Sequence, residues 1–429
     1  MTPETATVRL SRVIFDELLY PRKDHDPILV QRYAGVLDEI EAAGKRIALT
    51  ADLKLLDGKH RWLAYRKRYD GEDREIPVFI YPVTTPHEQL MLAAKLNSDH
   101  GWQLTDADKE LTAKTLFAYG ATYDDIAQTL SVGKAKVSAW LAHTVKEQKD
   151  RRNQRIVELW MACETQEAIA KAVDATQQTV SNVIDEFTNS VLENQNGKDA
   201  SLANHATDFE PPIYNIWRQQ KKSDGVEHFG NSEPRWVDNL LYLYTQPFNI
   251  VVDPFAGGGS TIEVCRKRFR RYWVSDRKPI VERENEIRQH DLTEGLPSLP
   301  RWQDVKLVYL DPPYWKQAEG KYSDDETDLA NMPLEKFTST LAGIINSFAK
   351  KLSDGAVIAL LMSPTQWPAP EHQFTDHIAD MLRAIKLSIV QRFSCPYATE
   401  QYNGQMVECA KANKLCLVLT RELIVWCLR

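Results

Sequence analysis

The chain has 429 residues, 43% of them hydrophobic and 26% charged, with a formal net charge of −7. That length suggests about three domains and an ordinary globular balance, while the acidic total excludes a uniformly basic nucleic-acid coat and leaves only local basic surface for such a role. Six cysteines, none before Cys163 and none in CxxC spacing, argue against a zinc site or a disulfide framework and for reduced thiols.

Met1 to Thr7 has neither a basic nor an apolar leader segment, and the longest apolar run, Ala356 to Met362, is too short to span a bilayer. A cytoplasmic protein with no membrane partner is expected. Residues 1–105 mix β-type runs (Ile47–Leu49, Leu53–Leu56, Ile76–Tyr81) with amphipathic helices. Residues 53–66 read as strand, tight turn and helix, and a helix N-terminus carrying Gly58 and Arg61 suits a phosphate. The turn Gly58-Lys59-His60-Arg61 with Ala64, together with Tyr20-Pro21-Arg22 and the Asn97–Leu104 exit, resembles the ParB-like fold over residues 8 to 145. The resemblance implies CTP at this turn. Here, however, the usual Glu-Arg-Arg is replaced by Lys59-His60-Arg61, which favours a scaffold or a phosphate-backbone contact over a nucleotide site.

Residues 106–190 carry helical periodicity with only two glycines, Gly120 and Gly133. Tyr123 to Leu141 fits a helix-turn-helix: Ile126, Ala127 and Leu130 face inward, Gly133 turns the chain, and Val137, Trp140 and Leu141 pin the second helix. Lys134, Lys136 and Ser138 are then free to meet DNA. Glu167 to Ile184 repeats the pattern, and its Gln177, Gln178, Thr179 and Asn182 suit base edges, glutamine and asparagine matching adenine. Residues 130–160 hold seven Lys/Arg against three acids, a local positive stretch. A plain helical bundle is the alternative reading. Residues 191–208 are polar and read as a linker.

From residue 209 to 429 strands alternate with helices, the pattern of a parallel α/β sheet. A strand over Phe248–Val252 leads to Asp253 and the glycine turn Gly257-Gly258-Gly259, with Ser260 or Thr261 expected to cap the next helix. Arg271–Asp276 is a second strand ending in an acid, and Asp291 comes where a third should end. Three acids at successive strand ends suit a nucleoside site in an open sheet. A plain strand-turn-helix connection and a phosphate loop are the alternatives, but a Walker loop needs a lysine that this turn lacks.

Val305–Leu310 reads as a buried strand running into Asp311-Pro312-Pro313-Tyr314. The two motifs together resemble the amino-group DNA methyltransferases. The resemblance implies a Rossmann-like class I fold and S-adenosylmethionine as cofactor. That cofactor would be held by Asp253, Pro254, Phe255, Ala256, Gly257, Gly259, Ser260, Thr261, Asp276 and Asp291. Asp311, Pro312, Pro313 and Tyr314 become the catalytic residues, the first two accepting the amino hydrogens of the target base and Tyr314 stacking on a base extruded from the duplex. Trp315 extends the tetrapeptide and either walls the base pocket, as a DNA contact, or joins the core, and Lys316–Asn331 reads as a mobile cover. His228, Asn231 and Pro234 loosely resemble the segment that holds the methionine end of the cofactor. Later strands are expected at Ala356–Leu361, Leu387–Phe393 and Lys414–Leu419, the last two as an antiparallel closing pair, with Glu422–Arg429 left as added packing.

The expected architecture is a ParB-like α+β domain, an all-α helix-turn-helix region and a C-terminal α/β methyltransferase domain. The expected activity is N6-adenine methylation of double-stranded DNA. N4-cytosine methylation, or a ParB-like regulator with an inactive methyltransferase domain, is the alternative. The sequence is compatible with a homodimer and gives no recognition site.

Overall fold

Short β-branched runs separated by turn residues pair into a mixed sheet in the first half of the chain. The computed structural model describes residues 2–70, 72–99, 104–193, 209–219, 233–299, 301–366, 374–397 and 402–429. It divides into two units, Met1–Arg151 and Arg152–Arg429. The sequence reading grouped residues 106–190, whereas the division falls inside one long helix, so the two helical hairpins belong to different units. Most of the expected linker, the His100–Gln103 exit, His228 and Asn231 lie outside the described residues.

In the first unit, β1 (Glu4–Arg9), α1 (Pro27–Gly35), α2 (Leu37–Ala42), β2 (Ile47–Thr50), β3 (Leu55–Asp57), α3 (Lys59–Tyr69), β4 (Glu75–Tyr81) and α4 (Pro86–Asp99) follow in order. The sheet order is β1-β4-β2-β3, with β2 and β4 parallel and the outer pairs antiparallel. Leu37, Ile47, Leu49, Ala64 and Val78 are fully buried at its centre. Gly58 turns β3 into α3 with φ +93°, and a Cβ there would stand 3.0 Å from both Arg61 and Ile47 side chains, so only glycine fits. Next come α5 (Asp106–Ala118), α6 (Tyr123–Thr129) and α7 (Lys134–Met161). Capping boxes at Thr105/Asp108 and Thr122/Asp125 start α5 and α6. Ile126, Leu130, Val137 and Leu141 are fully buried between α6 and α7, as the periodicity predicts.

The second unit begins with a hairpin of α8 (Gln166–Ala172) and α9 (Gln177–Glu193). Its core is the end of α7 against Ile169, Val180, Val183 and Ile184. After α10 (Pro234–Tyr244) the α/β part runs β5 (Ile250–Asp253), α11 (Ser260–Lys267), β6 (Arg271–Asp276), β7 (Arg288–Gln289), β8 (Val305–Leu310), α12 (Leu334–Ala349) and β9 (Val357–Met362). A small pair β10 (Thr365–Gln366) and β11 (Phe374–Thr375) precedes α13 (His377–Ala384), β12 (Ile389–Pro396), α14 (Gly404–Ala412) and β13 (Thr420–Cys427).

The seven-stranded sheet has the order β12-β13-β9-β8-β5-β6-β7, parallel from β9 to β7, with β13 antiparallel to both neighbours. Alternate residues serve two cores. Ile250, Val252, Val308, Leu310, Ile358 and Leu360 face one, while Val251, Leu307, Tyr309, Val357 and Ala359 face the other. A sheet buried on both faces explains why these strands read as continuous apolar runs. The α/β class expected for this half is what the chain adopts.

One expected strand is misplaced. Lys414–Leu419 is irregular and largely exposed after α14, and the strand is Thr420–Cys427, built from the tail that the sequence left as packing. Leu423, Ile424, Val425 and Trp426 are fully buried between β12 and β9, so both faces and both edges of this segment are covered. Among the described residues no helix is long and apolar enough to cross a membrane.

Candidate active site

From β5 the chain winds outward through β6 to β7, then returns to β8 and β9 on the other side. The order therefore reverses between β5 and β8, and open α/β sheets bind ligands at the carboxyl ends of strands flanking such a reversal. A cavity of about 690 Å³ lies there, within the usual range for a nucleoside-sized ligand. It gathers Asp253, Pro254, Phe255, Ala256, Gly257, Ser260 and Thr261 from the β5–α11 turn, Asp276 from β6, Asp291 beyond β7, and Asp311 with Pro313 beyond β8. Gly259, Pro312 and Tyr314 do not line it.

The turn is shaped by its glycines. Gly257 and Gly259 have φ +49° and +78°, and a Cβ on Gly259 would stand 3.0 Å from the Arg283 side chain. Gly259 takes the N-cap position of α11, not Ser260 or Thr261. Ser260 and Thr261 are already the first two helical residues, and the Thr261 hydroxyl donates to Asp253 Oδ2 at 2.5 Å. The other Asp253 oxygen accepts from the Phe255 N–H at 3.0 Å.

Asp253 is 2% exposed. Burial pushes its carboxyl up to about 7, with the charges of Asp311 and Asp276 adding to the rise and the bonds from Thr261 and Phe255 opposing it. The folded chain thus holds this proton more tightly than the unfolded chain, whose aspartates titrate near pH 4. Its contribution to stability is accordingly expected to fall as pH rises from about 4 to about 7. Thermal unfolding of the wild type and Asp253→Asn across that interval checks this: the wild type should lose ground to the variant as pH rises. A constant gap would contradict the assignment.

Asp276 is held by two backbone donors, Gly257 N–H at 3.0 Å and Lys278 N–H at 2.9 Å, one on each oxygen. The glycine turn and the second acid are thereby locked to each other. Asp291 Oδ1 accepts from Thr293 N–H and hydroxyl at 2.9 and 2.7 Å, and Oδ2 pairs with Arg277 Nε at 3.0 Å. Arg277 also reaches Asp325 and Thr327, both at 2.7 Å. It therefore ties β6, Asp291 and the Lys316–Asn331 segment together, and Lys321, Tyr322 and Ser323 of that segment line the cavity. Arg277 escaped the sequence reading, although its position next to Asp276 was the available signal.

Asp311 is partly exposed. Tyr314 donates its hydroxyl to Asp311 Oδ1 at 3.2 Å, and Tyr309 to Oδ2 at 3.4 Å. Burial, together with the Asp311 charge, holds the Tyr314 phenol well above its usual value, so it stays a donor at neutral pH. Arg421 of β13, 5% exposed, lies over Trp236 at 4.4 Å and Tyr397 at 4.0 Å. No sequence motif marked it, because its strand had gone unread.

Of the two readings of Trp315, the structure adopts the core one. The residue is 7% exposed, its indole N–H donates to the Met332 carbonyl at 2.9 Å, and its ring meets His377 edge-on. It belongs to the core and does not wall the pocket. Arg61 pairs with Asp57 at 2.7 Å in the first unit. Lys134 and Lys136 on α7 are exposed and paired with Asp124 and Asp106, and Ser138 is exposed beside them. Such surface pairs are worth about 0–1 kcal/mol, which leaves the lysines available to a stronger anion. On α9, Gln177, Gln178 and Asn182 are exposed, Thr179 is half-buried, and Gln178 donates to Asn182 at 2.8 Å.

No protein-family model matches the chain, and no curated protein matches it. Solved structures do. The chromosome-partitioning protein ParB from Caulobacter crescentus, solved with the centromeric parS site, is 13% identical, with 42% of this chain and 97% of that one covered and a TM-score of 0.24. An S-adenosylmethionine-dependent methyltransferase from Clostridium acetobutylicum is 11% identical, covering 42% and 85%, with a TM-score of 0.26. Precorrin-6y C5,15-methyltransferase from Geobacter metallireducens is 12% identical, covering 51% and 100%, with a TM-score of 0.25. At these scores the likeness carries nothing about activity.

Proposed function

We propose that the chain is an S-adenosylmethionine-dependent DNA methyltransferase acting on the N6 amino group of adenine in duplex DNA. One observation carries the reading: Asp311 and Pro313 of the Asp311-Pro-Pro-Tyr turn line the same cavity as the glycine turn and Asp276, at the point where the strand order reverses. The cavity suits the cofactor in size, and its acids suit a nucleoside. Asp276, oriented by two N–H groups, is the proposed partner of the ribose hydroxyls, and Asp291 that of an adenine amino group.

Bound there, S-adenosylmethionine supplies an electrophilic methyl on a sulfonium. Asp311 and the Pro312 carbonyl accept the two hydrogens of the target amine and favour a tetrahedral nitrogen whose lone pair is free. The glycine turn, Asp276 and Asp291 would hold the donor so that its methyl could pass to this nitrogen with the thioether as leaving group, and Asp311 would take the surplus amine proton and release it to solvent. Two consecutive prolines stiffen the turn, and Tyr314 offers a ring to a base taken out of the duplex. Positioning and electrostatics account for the catalysis. Lys134, Lys136 and Ser138 serve the duplex from one hairpin, Gln177, Gln178, Thr179 and Asn182 from the other, and Arg61 a phosphate.

Adenine is preferred to cytosine because the resembling cytosine enzymes more often carry serine where Asp311 stands. Incubation with labelled S-adenosylmethionine and mixed-sequence duplex, followed by nucleoside mass spectrometry, tests the reading. N6-methyladenine is expected. N4-methylcytosine would change the base, and tight DNA binding without any transfer would make the chain a regulator.

A further inference from the structure

A buried guanidinium stands behind the Asp311 turn. Arg421, the second residue of β13, is 5% exposed. It lies over the rings of Trp236 and Tyr397, and its Nη2 donates to Gln219 Oε1 at 3.0 Å. Gln219 is itself fastened beside β12: its N–H donates to the Pro396 carbonyl at 3.1 Å, and Trp217, two residues earlier, stacks on Phe393 at 3.8 Å. Among the described residues no carboxylate comes within ion-pair distance of Arg421, and its buried Nε–H has no partner. Two ring faces and one amide oxygen offset only part of the cost of burying a cation, so packing alone does not account for an arginine here.

The sheet register shows which charge it faces. Leu310 pairs with Leu360 and Leu423 with Leu361, so Asp311, Leu361 and Leu423 fall in one row across β8, β9 and β13. Leu361, Leu423 and Tyr309 share one core with Trp236, and Tyr309 donates to Asp311 Oδ2. Arg421, two residues from Leu423, projects to that same face. Strand spacings put its Cα about 12 Å from that of Asp311, most of which an extended arginine crosses. Burial alone would weaken its hold on its proton, yet Tyr314, Tyr397, Asp311 and Tyr309 strengthen that hold overall. Phenols carry no charge at neutral pH, which leaves Asp311 as the counter-charge in that set. Around Asp311 stand Tyr309 and Tyr314 from its own strand and turn, Asp253 from β5, Tyr322 from the following segment, and Cys395 and Tyr397 at the end of β12. Asp253 disfavours a charge on Asp311, and Arg421, the cation of the group, favours one.

We propose that Arg421 is a positioning residue for the methyl-transfer step, holding Asp311 as the charged acceptor of the amine hydrogens. A protonated Asp311 would offer a hydrogen where the amine needs an acceptor. That step is taken from the methyltransferase reading, on which the assignment rests.

Single-turnover transfer at saturating cofactor and duplex is followed from about pH 4 to about pH 8 for the full chain, Arg421→Met, Arg421→Gln and Arg421→Lys. Loss of the cation raises the pH at which Asp311 ionises. The acid limb of both uncharged variants should therefore move up by about one unit, a roughly tenfold slower transfer on that limb relative to each plateau. Arg421→Lys should restore the limb. The same profiles in an Asp253→Asn background keep Asp253, whose carboxyl is pushed up to about 7, from being mistaken for Asp311. Methionine and glutamine both fill much of the arginine's volume, and either carries the test if the other does not fold. A lower plateau with an unmoved limb, or a limb that lysine leaves shifted, assigns Arg421 to packing and overturns the proposal. If the wild type methylates no duplex, the enzymatic reading fails instead. Thermal unfolding of the wild type, Arg421→Met, Asp311→Asn and the double variant then decides the charge pairing: coupling at neutral pH that vanishes in acid upholds it, and no coupling overturns it.

Discussion

Asp311→Ala is expected to lower methyl transfer by about a thousandfold in kcat, the scale seen when one preorganised electrostatic contact to a reacting group is lost. The carboxylate stands at the end of β8, at the mouth of the cavity, and receives the hydroxyls of Tyr314 and Tyr309 at 3.2 and 3.4 Å. Alanine removes the proposed acceptor for the target amine and the bonds from both phenols. The side chain is partly exposed, so folding should survive. In the proposed function DNA is held by surfaces elsewhere, so DNA affinity should change less than threefold by anisotropy. Single-turnover transfer with labelled donor measures the effect, and a variant retaining a tenth of wild-type activity would remove Asp311 from the chemistry. Asp311→Asn, which keeps one acceptor, should fall between the two.

Asp276→Ala should weaken S-adenosylmethionine binding by about a hundredfold. Hydrogen bonds to a charged group contribute about 1.5–3 kcal/mol each, and in the proposed function this carboxylate accepts two ribose hydroxyls. A second loss compounds the first. Gly257 N–H and Lys278 N–H both donate to Asp276, so the variant also frees the glycine turn that shapes the pocket. Calorimetric titration with the cofactor reads the change directly. Affinity within threefold of wild type would mean that the nucleoside is held elsewhere. The contrast with Asp253 is instructive: both are strand-end acids, but Asp253 spends its oxygens on Thr261 and Phe255 and acts on the shape of the turn.

Residues whose roles depend on near neighbours were legible without coordinates. Gly58, Gly257 and Gly259 sit where strand gives way to helix, and a turn of positive φ can be read from local order. Ile126, Leu130, Val137 and Leu141 show helical spacing and are buried as that spacing implies. Arg277 was adjacent to a recognised acid yet passed unnoticed, because its partners Asp291 and Asp325 are remote in sequence. Trp315 stayed open for a related reason: an aromatic beside such a motif has equal claims on pocket and core, and only Met332 and His377 settle which it joins.

By itself the sequence determined the acids at the strand ends, the glycine turns, the two helical hairpins and the α/β alternation, since each follows from periodicity or from conformational limits spanning a few residues. Only the tertiary structure decided that Lys414–Leu419 stays irregular while Thr420–Cys427 enters the sheet, that Arg421 stands near Asp311, and that the second hairpin is seated at the amino ends of the strands. Strand choice and docking depend on which distant segments cover a face or an edge, so two apolar runs of similar propensity are separated by the burial each finds. That is a sum of many weak contacts between residues far apart in the chain, and no local pattern records it.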